Sequence, residues 1–309
     1  VYVKEVDLPE IGEEELLVKV VSNSVCLSTY KAAIRGGDHK RVPDDVSKEH
    51  PVITGHEFGG YIVKVGEKLK DQFEVGEKFV LQPAMGLPSG YSAGYSYEYY
   101  GGNATYCIIP KVSIDLGCVL PYKGDYFANA SLAEPMSCII GAFHATYHTT
   151  PYVYEHQMGL KDGGSVALLG CAGPMGLGAI DYAVHGPYNS KRVVVVDIDE
   201  ARLERAKLLI NPEDAAKNGV ELIYVNTKDN DHAVEDLKNL NDGKGYNETF
   251  VFAPVKPLIE MADHLLGNDG CLNFFAGPTD NEVQTLTFIM YIMNQHIFAE
   301  HLEDLPEIC

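Results

Sequence analysis

The chain has 309 residues, of which 46% are hydrophobic and 22% are charged, and these values are typical of a globular protein rather than a disordered one. Forty-four acidic residues against 24 basic residues give a formal net charge of −20, which argues against nucleic acid and anionic membranes as partners. At about 150 residues per domain, the length predicts two domains.

The location of the protein can be predicted from three further features. No run of about 18 apolar residues occurs, and the first residues lack the basic and apolar regions of a signal peptide. The chain starts at Val1 rather than Met, so we expect that residues precede it. The seven cysteines form no C-x-x-C pair, so we expect free thiols and a cytoplasmic protein. They are Cys26, Cys107, Cys118, Cys138, Cys171, Cys271 and Cys309.

The first third of the chain is predicted to be β-structure. Short runs rich in Val and Ile, bounded by Gly, Pro or acidic turns, occupy residues 16–21, 59–66 and 77–83. A loop rich in Gly, Tyr and Ser follows at residues 85–106, and long loops of this kind in compact domains are often functional.

After about Leu132 the pattern changes to short apolar runs alternating with helix-length segments. Strands buried on both faces and separated by helices are typical of a parallel, doubly wound sheet. The predicted strands are VALLG (166–170), RVVVVD (192–197), LIYVN (222–226), ETFVFA (248–253) and CLNFFAG (271–277).

The first of these runs leads into a glycine-rich turn and then a helical pattern, VALLGCAGPMGLGAIDYAV. Glycines allow the backbone to approach a pyrophosphate, whose charge is favourable at a helix N-terminus. Cys171 stands where the G-x-G-x-x-G pattern has its first glycine, so an ordinary turn that binds nothing is the alternative. The candidate cofactor-binding residues of the turn are Gly173, Pro174, Met175 and Gly176.

Asp197 closes the run RVVVVD, 21 residues after Gly176. A carboxylate at this point can accept both ribose hydroxyls of a dinucleotide and would repel a 2′-phosphate. Asp199 and Glu200 add to that repulsion, so NAD(H) is predicted in preference to NADP(H).

Three segments of the first domain carry residues that can bind a metal: VCLSTYK with Cys26, TGHEFGG with His56 and Glu57, and SLAEPMS with Glu134. A mixed Cys, His and carboxylate set that leaves one position open is the pattern of a catalytic zinc site. None of the segments is a chelating motif by itself, since a lone Cys is usually buried and His-Glu pairs are common on surfaces.

His144 and His148 are spaced so that one helix face could hold both. No catalytic Glu and no third ligand lie beside them, so we interpret them as helix-surface or core histidines rather than ligands.

Together these segments resemble the zinc-dependent medium-chain dehydrogenases/reductases. The resemblance runs from about Glu14 to Gly277, and it implies a GroES-like β-rich catalytic domain followed by a Rossmann domain. The motifs that carry it are Gly55-His56-Glu57, Val65-Gly66, Val75-Gly76 with Val80, Glu134-Pro135, and Ala172 to Gly176.

The resemblance also implies roles for individual residues. Cys26 and His56 match the catalytic zinc ligands, and Glu57 or Glu134 would supply a carboxylate at the metal, with the choice between them open. Ser28 matches the hydroxyl that exchanges a proton with the substrate oxygen. Asp197 and Arg202 match the residues that hold the adenosine ribose.

Two departures from the family pattern affect the metal. Thr29 stands where most members have an aspartate, so the support of the zinc ligands must differ. No cysteine lies between Cys26 and Cys107, so the lobe that carries a structural zinc is absent and one catalytic zinc is expected. Lys31 stands where some members have a histidine that relays protons.

Within the family, the segments around Cys26, Tyr97, Glu134 and Gly176 are most similar to members that reduce a ketose 1-phosphate to a hexitol phosphate. The expected function is therefore hydride transfer between a nicotinamide cofactor and a sugar or polyol, with a phosphorylated substrate preferred. Two alternatives stay open: a dehydrogenase of unphosphorylated polyols or amino alcohols, and a non-catalytic dinucleotide-binding protein. A homo-oligomer is expected by analogy with the family.

A local basic segment supports a phosphorylated substrate. Five basic or imidazole side chains fall within eleven residues, directly after the candidate ligand Cys26: Lys31, Arg35, His39, Lys40 and Arg41. Lys31 and Arg41 are the candidate phosphate ligands, because cationic side chains donate charged hydrogen bonds to phosphate oxygens. The alternative is a solvated loop, or partners for Asp38, Asp44 and Asp45.

The expected domain organisation is a GroES-like catalytic domain at residues 1–136 and a Rossmann domain at residues 137–285. Residues 286–309 match the family poorly and are unassigned. We expect that the sequence is truncated there, or that segments of it are missing.

Overall fold

The computed structural model describes residues 1–150, 152–276 and 296–299, with the backbone alone for Tyr154 and for residues 296–299. The chain divides into two compact units, Val1–Pro135 and Met136–Cys309, each of which has its own core.

The first unit is built on a five-stranded antiparallel sheet with the strand order β4-β1-β2-β3-β5. The strands are β1 (Leu16–Asn23), β2 (Phe58–Val65), β3 (Lys78–Leu81), β4 (Tyr106–Ile109) and β5 (Val119–Pro121). Its helices are α1 (Leu27–Arg35), α2 (Lys111–Asp115) and α3 (Phe127–Ala130), with short 3₁₀ turns at Gly36–Asp38 and Glu67–Leu69.

The core of the first unit lies on one face of this sheet. Leu16 and Val18 alternate along β1 on the buried face, while Leu17 and Lys19 point the other way and are more exposed. The ring of Phe58 in β2 packs edge-on against Phe79 and Tyr100 at centroid distances of 6.0 and 6.3 Å. Three of the five strands fall on the runs at residues 16–21, 59–66 and 77–83 that predicted β-structure, whereas no run predicted β4 or β5.

The second unit contains a six-stranded parallel sheet with the order β10-β9-β8-β11-β12-β13. The strands are β8 (Ser165–Leu169), β9 (Arg192–Asp197), β10 (Glu221–Asn226), β11 (Tyr246–Val251), β12 (Leu266–Phe274) and β13 (His296–Ala299). Strand order reverses between β8 and β11, so a ligand crevice is expected at the carboxyl ends of these strands.

The remaining elements of the second unit are helices on the sheet and a hairpin. The helices are α4 (Ala133–Ala145), which begins in the last residues of the first unit, α5 (Pro174–His185), α6 (Glu200–Leu209), α7 (Pro212–Lys217), α8 (Ala233–Asn239) and α9 (Lys256–Leu265). The hairpin pairs β6 (Tyr147–Thr150) with β7 (Val153–Met158) in antiparallel register.

Both faces of the parallel sheet are buried. Val193 and Val195 of β9 belong to the core cluster on one face, and Val194 and Val196 belong to the cluster on the other. This explains why the run RVVVVD is continuously apolar instead of alternating. The mixed fold with an antiparallel and a parallel sheet confirms the predicted fold class.

Three details differ from the sequence patterns or extend them. Strand β12 begins at Leu266, five residues before the apolar run that predicted it. Helix α4 ends at Ala145, so His144 and His148 do not share a helix face; His148 lies in β6 and is buried. The unassigned tail at residues 286–309 lies outside the described residues, apart from the backbone of β13.

Among the residues that the structure describes, no helix has both the length and the apolar character needed to cross a membrane.

Candidate metal centre and cofactor site

The candidate metal centre forms where two loops meet at the end of the antiparallel sheet. Cys26 is the N-cap residue of α1, just beyond the end of β1, and His56 and Glu57 directly precede β2. The N–H of Ser24 donates to the carbonyl oxygen of Glu57 at 3.0 Å, which continues the β1–β2 pairing to this point. The sheet therefore brings together residues that are 30 positions apart in the sequence.

The ligand atoms of Cys26, His56 and Glu57 all lie within 4.8 Å of one another. His56 is 2% exposed and Glu57 is 5% exposed, while Cys26 is partly buried. A thiol, an imidazole and a carboxylate are the donor set of a catalytic zinc site with an open position. The chemistry of these residues therefore fits the metal that the sequence pattern predicts.

The surroundings of Cys26 keep its thiol protonated in the absence of a metal. Burial, together with the charge of Glu57, raises the pKa of Cys26 to about 11, although hydrogen bonds from the backbone and side chain of Ser28 oppose that change. The Ser28 hydroxyl thus lies in contact with the candidate ligand sulfur. A cation at this position would stabilise the thiolate.

His56 and Glu57 are each oriented by a hydroxyl group. Thr29 Oγ1 lies 3.4 Å from Nδ1 of His56, and Nε2 of the same ring faces Oε1 of Glu57 at 3.8 Å. The Ser24 hydroxyl donates a short hydrogen bond to Oε2 of Glu57. Hydrogen bonds of this kind fix the ring and carboxylate orientation of metal ligands.

The other residues predicted for this region do not join the cluster. Glu134 lies in the first turn of α4 and is partly buried, but it is not a member of the three-residue group. Lys31 lies on α1 with its side chain exposed. Arg41 is partly buried, and its guanidinium carbon lies 5.1 Å from the centre of the Tyr95 ring.

The candidate cofactor site is the turn between β8 and α5. Gly173 is the N-cap residue of α5, with Pro174 and Met175 in the first turn. A Cβ on Gly176 would lie 1.8 Å from the carbonyl oxygen of Cys171, so only glycine allows this close helix–turn packing. A Cβ on Gly173 would meet nothing within 4 Å, which leaves space above the helix N-terminus for an anionic group.

Cys171, which replaces the first glycine of the pattern, is a buried structural residue. Its Sγ lies 3.3 Å from the carbonyl oxygen of Gly176, and burial raises the pKa of its thiol well above 9.0. A buried neutral thiol fills the small space inside the turn without becoming reactive.

Asp197 lies at the carboxyl end of β9 and fixes the turn. Its Oδ2 accepts a hydrogen bond from the N–H of Ala172 at 2.9 Å, and its Oδ1 accepts from the N–H groups of Ile198 and Asp199 at 2.8 and 3.1 Å. These three bonds use part of the acceptor capacity of a carboxylate, which has about four lone-pair positions. Asp197 therefore retains capacity for a ribose hydroxyl.

Arg202 lies in the first turns of α6 with an exposed side chain. Its backbone N–H donates to Oδ1 of Asp199, the N-cap residue, at 3.1 Å, and its Nε lies 3.5 Å from Oδ2 of the same carboxylate. Arg205, which the sequence reasoning missed, donates to the carbonyl oxygen of Ala172 at 3.4 Å. Arg205 thus contacts the glycine-rich turn from a position three residues after Arg202.

Two other residues of the metal centre were not predicted. Ser24 holds the Glu57 carboxylate, and the Tyr95 ring packs on the His56 ring with a centroid distance of 4.9 Å. Nothing in the sequence distinguishes Tyr95 from the other tyrosines of the loop at residues 85–106, because its position depends on how that loop folds back.

Comparisons with known proteins agree with this geometry. Residues 12–128 match the family model of the alcohol dehydrogenase GroES-like domain. The chain is 64% identical over 296 residues to mannitol-1-phosphate 5-dehydrogenase of Aliivibrio fischeri, a match that covers 96% of the chain and 69% of the relative. It is 43% identical over 277 residues to L-sorbose 1-phosphate reductase of Klebsiella pneumoniae, covering 89% and 66%. The chain thus spans about two thirds of the length of these curated relatives.

A solved structure shows the same fold. A zinc-binding dehydrogenase target from Sinorhizobium meliloti 1021, bound to NADP, superposes with a TM-score of 0.73 at 19% sequence identity, over 96% of this chain and 79% of the other. With the metal cluster and the glycine-rich turn, these matches show that the chain belongs to the zinc-dependent medium-chain dehydrogenase/reductase family of oxidoreductases.

Proposed function

We propose that the protein transfers a hydride between a nicotinamide cofactor and a phosphorylated sugar, interconverting a ketose phosphate and a hexitol phosphate. The observation that carries the proposal is the grouping of Cys26, His56 and Glu57 within 4.8 Å in a family of zinc-binding dehydrogenases. Relatives named for sugar phosphates at 64% and 43% identity support the substrate class.

In this proposal Cys26 and His56 hold one zinc ion together with a carboxylate, from Glu57 or Glu134. When bound, zinc supplies a Lewis acid that polarises the oxygen of the reacting carbon. Ser28, whose hydroxyl contacts the Cys26 sulfur, takes up or delivers the proton of that oxygen. The buried ring of Tyr95 packs against His56 and limits the access of water to that side chain.

The cofactor is held by the turn from Gly173 to Gly176 and by Asp197. A bound nicotinamide cofactor would supply the hydride donor or acceptor, and the protein supplies binding and orientation. We propose NAD(H) as the preferred cofactor because the ionised carboxylate of Asp197 would repel a 2′-phosphate. Arg202 lies beside Asp199 and supports binding of the adenosine end.

The experiment is a turnover assay of the zinc-loaded protein with mannitol 1-phosphate, sorbose 1-phosphate and their unphosphorylated counterparts, each with both nicotinamide cofactors. We expect turnover of a phosphorylated substrate that disappears on removal of zinc by a chelator and returns on its addition. Equal efficiency with and without the phosphate group would favour the plain polyol dehydrogenase. Cofactor binding without stoichiometric zinc or turnover would favour a non-catalytic dinucleotide-binding protein.

A further inference from the structure

The ring of Tyr95 joins the candidate metal centre to the basic segment that follows α1. Tyr95 is 1% exposed and packs in a small core cluster with Ala32 of α1 and Val42. Its ring stacks on that of His39, nearly parallel at 8° and 5.6 Å, and the ring of His56 lies at 4.9 Å on a 34° tilt. One aromatic side chain thus contacts a candidate metal ligand and a member of the basic segment.

The Arg41 guanidinium lies over the same ring. Its Cζ is 5.1 Å from the Tyr95 centroid, a distance at which a guanidinium is attracted to the ring face. Since this distance and the 4.9 Å distance to His56 share the Tyr95 centroid, Cζ lies within about 10 Å of the centre of the His56 ring. A guanidinium carries its N–H donors in one plane, and such a planar set is suited to the oxygens of a phosphate group.

The backbone around Tyr95 contacts both the basic segment and the segment that carries His56. The Ser96 hydroxyl donates to the carbonyl oxygen of Arg41 at 2.6 Å. Gly94 has a φ of +74°, and a Cβ there would lie 2.3 Å from the carbonyl oxygen of Gly55, next to His56. The loop is therefore packed against the metal-ligand segment on one side and bonded to the basic segment on the other.

The basic segment is itself fixed in a turn. The N–H of Arg41 donates to Nδ1 of His39 at 3.3 Å, so in the neutral ring the proton is on Nε2. The imidazole N–H of His39 and the guanidinium of Arg41 are therefore two kinds of hydrogen-bond donor that contact the same Tyr95 ring, which also contacts His56 of the metal centre.

From this geometry we infer that Tyr95 is a specificity-determining positioning residue, which holds Arg41 and His39 as the subsite for the phosphate end of the substrate. The inference rests on the proposed function for the identity of the substrate. It differs from that proposal in assigning phosphate selectivity to the Tyr95 ring, which acts through Arg41, rather than to the basic residues alone.

The test compares KM values for a phosphorylated sugar and for the same sugar without phosphate. Tyr95→Leu should raise KM for the phosphorylated substrate at least about tenfold and change KM for the other by less than about threefold. Tyr95→Phe keeps the ring and should behave as the wild type. Tyr97→Leu is the matched control. Tyr97 lies in the same loop, and among the ring pairs of the described residues its ring contacts only Tyr91 and Tyr100.

A double-mutant cycle separates positioning from general packing. If Tyr95 acts through Arg41, Tyr95→Leu should add no further increase in phosphate-dependent KM to Arg41→Gln. Independent, additive effects would overturn the inference, and so would equal changes in KM for both substrates. The zinc content of each variant is measured as well. If Tyr95→Leu loses metal, the test depends on Arg41→Gln, because this variant leaves the contact between Tyr95 and His56 intact. It must then show the same loss of selectivity for the phosphorylated substrate.

A binding measurement keeps the inference testable if no sugar is turned over. Phosphorus NMR gives the dissociation constant of inorganic phosphate on the zinc-loaded protein. We expect it to rise at least about fivefold in Tyr95→Leu and Arg41→Gln but not in Tyr95→Phe. Phosphate binding that is absent, or equal in all four proteins, rejects the subsite. An inactive enzyme that still shows this pattern rejects only the proposed substrates.

Discussion

Thr29 is a residue of the metal centre that departs from the pattern which the family resemblance implies. That pattern has an aspartate at this position, whereas here a neutral hydroxyl lies 3.4 Å from Nδ1 of His56. If Nδ1 carries the proton, the hydroxyl accepts it and Nε2 is directed toward Glu57, as the 3.8 Å distance between these atoms indicates. A hydroxyl orients the ring in the same way as a carboxylate but adds no negative charge.

The first prediction concerns this hydroxyl. Thr29→Val keeps the shape of the side chain and removes the hydrogen bond, so we expect zinc affinity to fall about 10- to 100-fold. Competition with a chromophoric chelator measures the affinity directly. Thr29→Ser, which retains the hydroxyl, is the control and should remain within a few-fold of the wild type. Unchanged affinity in Thr29→Val would show that the ring is held by packing alone.

The second prediction concerns Asp197 and the choice of cofactor. Asp197→Ser removes the charge that would repel a 2′-phosphate, and it removes acceptors for the ribose. We expect KM for NADH to rise about 10- to 100-fold, as for the loss of a charged hydrogen bond, and the NADPH-to-NADH ratio of kcat/KM to increase.

Asp199→Ser is the matched control for this experiment. It removes a neighbouring charge, while serine remains a good N-cap residue for α6. If both variants change cofactor preference equally, the preference depends on the general negative charge and not on a ribose contact. A native enzyme that strongly prefers NADPH would also contradict the assignment.

At the scale of single residues, sequence patterns predicted positions more successfully than contacts. The strand-end position of Asp197 could be predicted because parallel strands end at one edge of a sheet. Its bond to the N–H of Ala172 and the position of Tyr95 on His56 could not, because they depend on how loops fold back in space. The departure at Thr29 was visible in the sequence, but its hydrogen bond to His56 was not.

The hairpin of β6 and β7 is attached to the parallel sheet by a buried group of ionisable residues. Nε2 of His148 lies 2.7 Å from Oε1 of Glu248 in β11, and Nδ1 lies 2.9 Å from the carbonyl oxygen of Asp269 in β12. Glu248 also accepts from the backbone N–H of Lys161 at 2.7 Å, and the Asp269 carboxylate accepts from Thr149. His148 is therefore a core histidine, as its sequence context indicated, and not a metal ligand.

The pKa shifts of His148 and Glu248 determine the direction in which the stability of this group changes with pH. Burial lowers the pKa of His148, but the hydrogen bond and charge of Glu248 outweigh it, so the pKa is raised above 6.5. Burial raises the pKa of Glu248 above 4.5, although the contact with His148 opposes it. Both shifts mean that the folded pair retains a proton after the unfolded chain has released it. Stability from His148 is thus present below pH 6.5 and is lost as the pH rises through the folded pKa.

The third prediction follows from this loss of stability with rising pH. As the pH rises above 6.5 the unfolding temperature of the wild type should fall, and the double variant His148→Gln/Glu248→Gln should show a smaller fall. Scanning calorimetry across this range measures both. The matched control is His185→Gln/Asp181→Asn, which removes an exposed His–Asp pair on α5 and should leave the slope unchanged. Parallel curves for the wild type and the buried-pair variant would contradict the assignment.

At the scale of elements, the predictions succeeded where one period dominated the pattern. The continuous valines of β9 and the alternation along β1 each fit one kind of sheet. The end of α4 was less visible: no Gly or Pro follows Ala145 in the segment GAFHATYH to stop the helix, but the chain enters β6 there. Tertiary pairing with β7 decides that boundary, and local propensity cannot.

At the scale of the whole molecule, each described unit has its own hydrophobic core. Leu16, Phe58 and Phe79 belong to the core of the first unit, and the two faces of the parallel sheet form the core of the second. The change of pattern near Leu132 indicated this organisation from the sequence. The net charge of −20 also applies to the whole chain, so the proposed phosphorylated substrate would need local cations, such as Arg41, to bind against a repulsive long-range field.

The last prediction uses the separation of the two cores. Cys26 lies in the first unit, whereas Gly173 and Asp197 lie in the second, so damage to the metal centre should not disturb cofactor binding. Cys26→Ala should lose zinc and turnover, while its dissociation constant for NADH, measured by fluorescence, should stay within about threefold of the wild type. Cys118→Ala, at a buried thiol of the same unit that is outside the metal cluster, is the control and should keep its zinc. If Cys26→Ala retains both zinc and full activity, Cys26 is not a ligand of the metal centre. If it loses NADH binding together with zinc, the metal centre and the cofactor site are not independent.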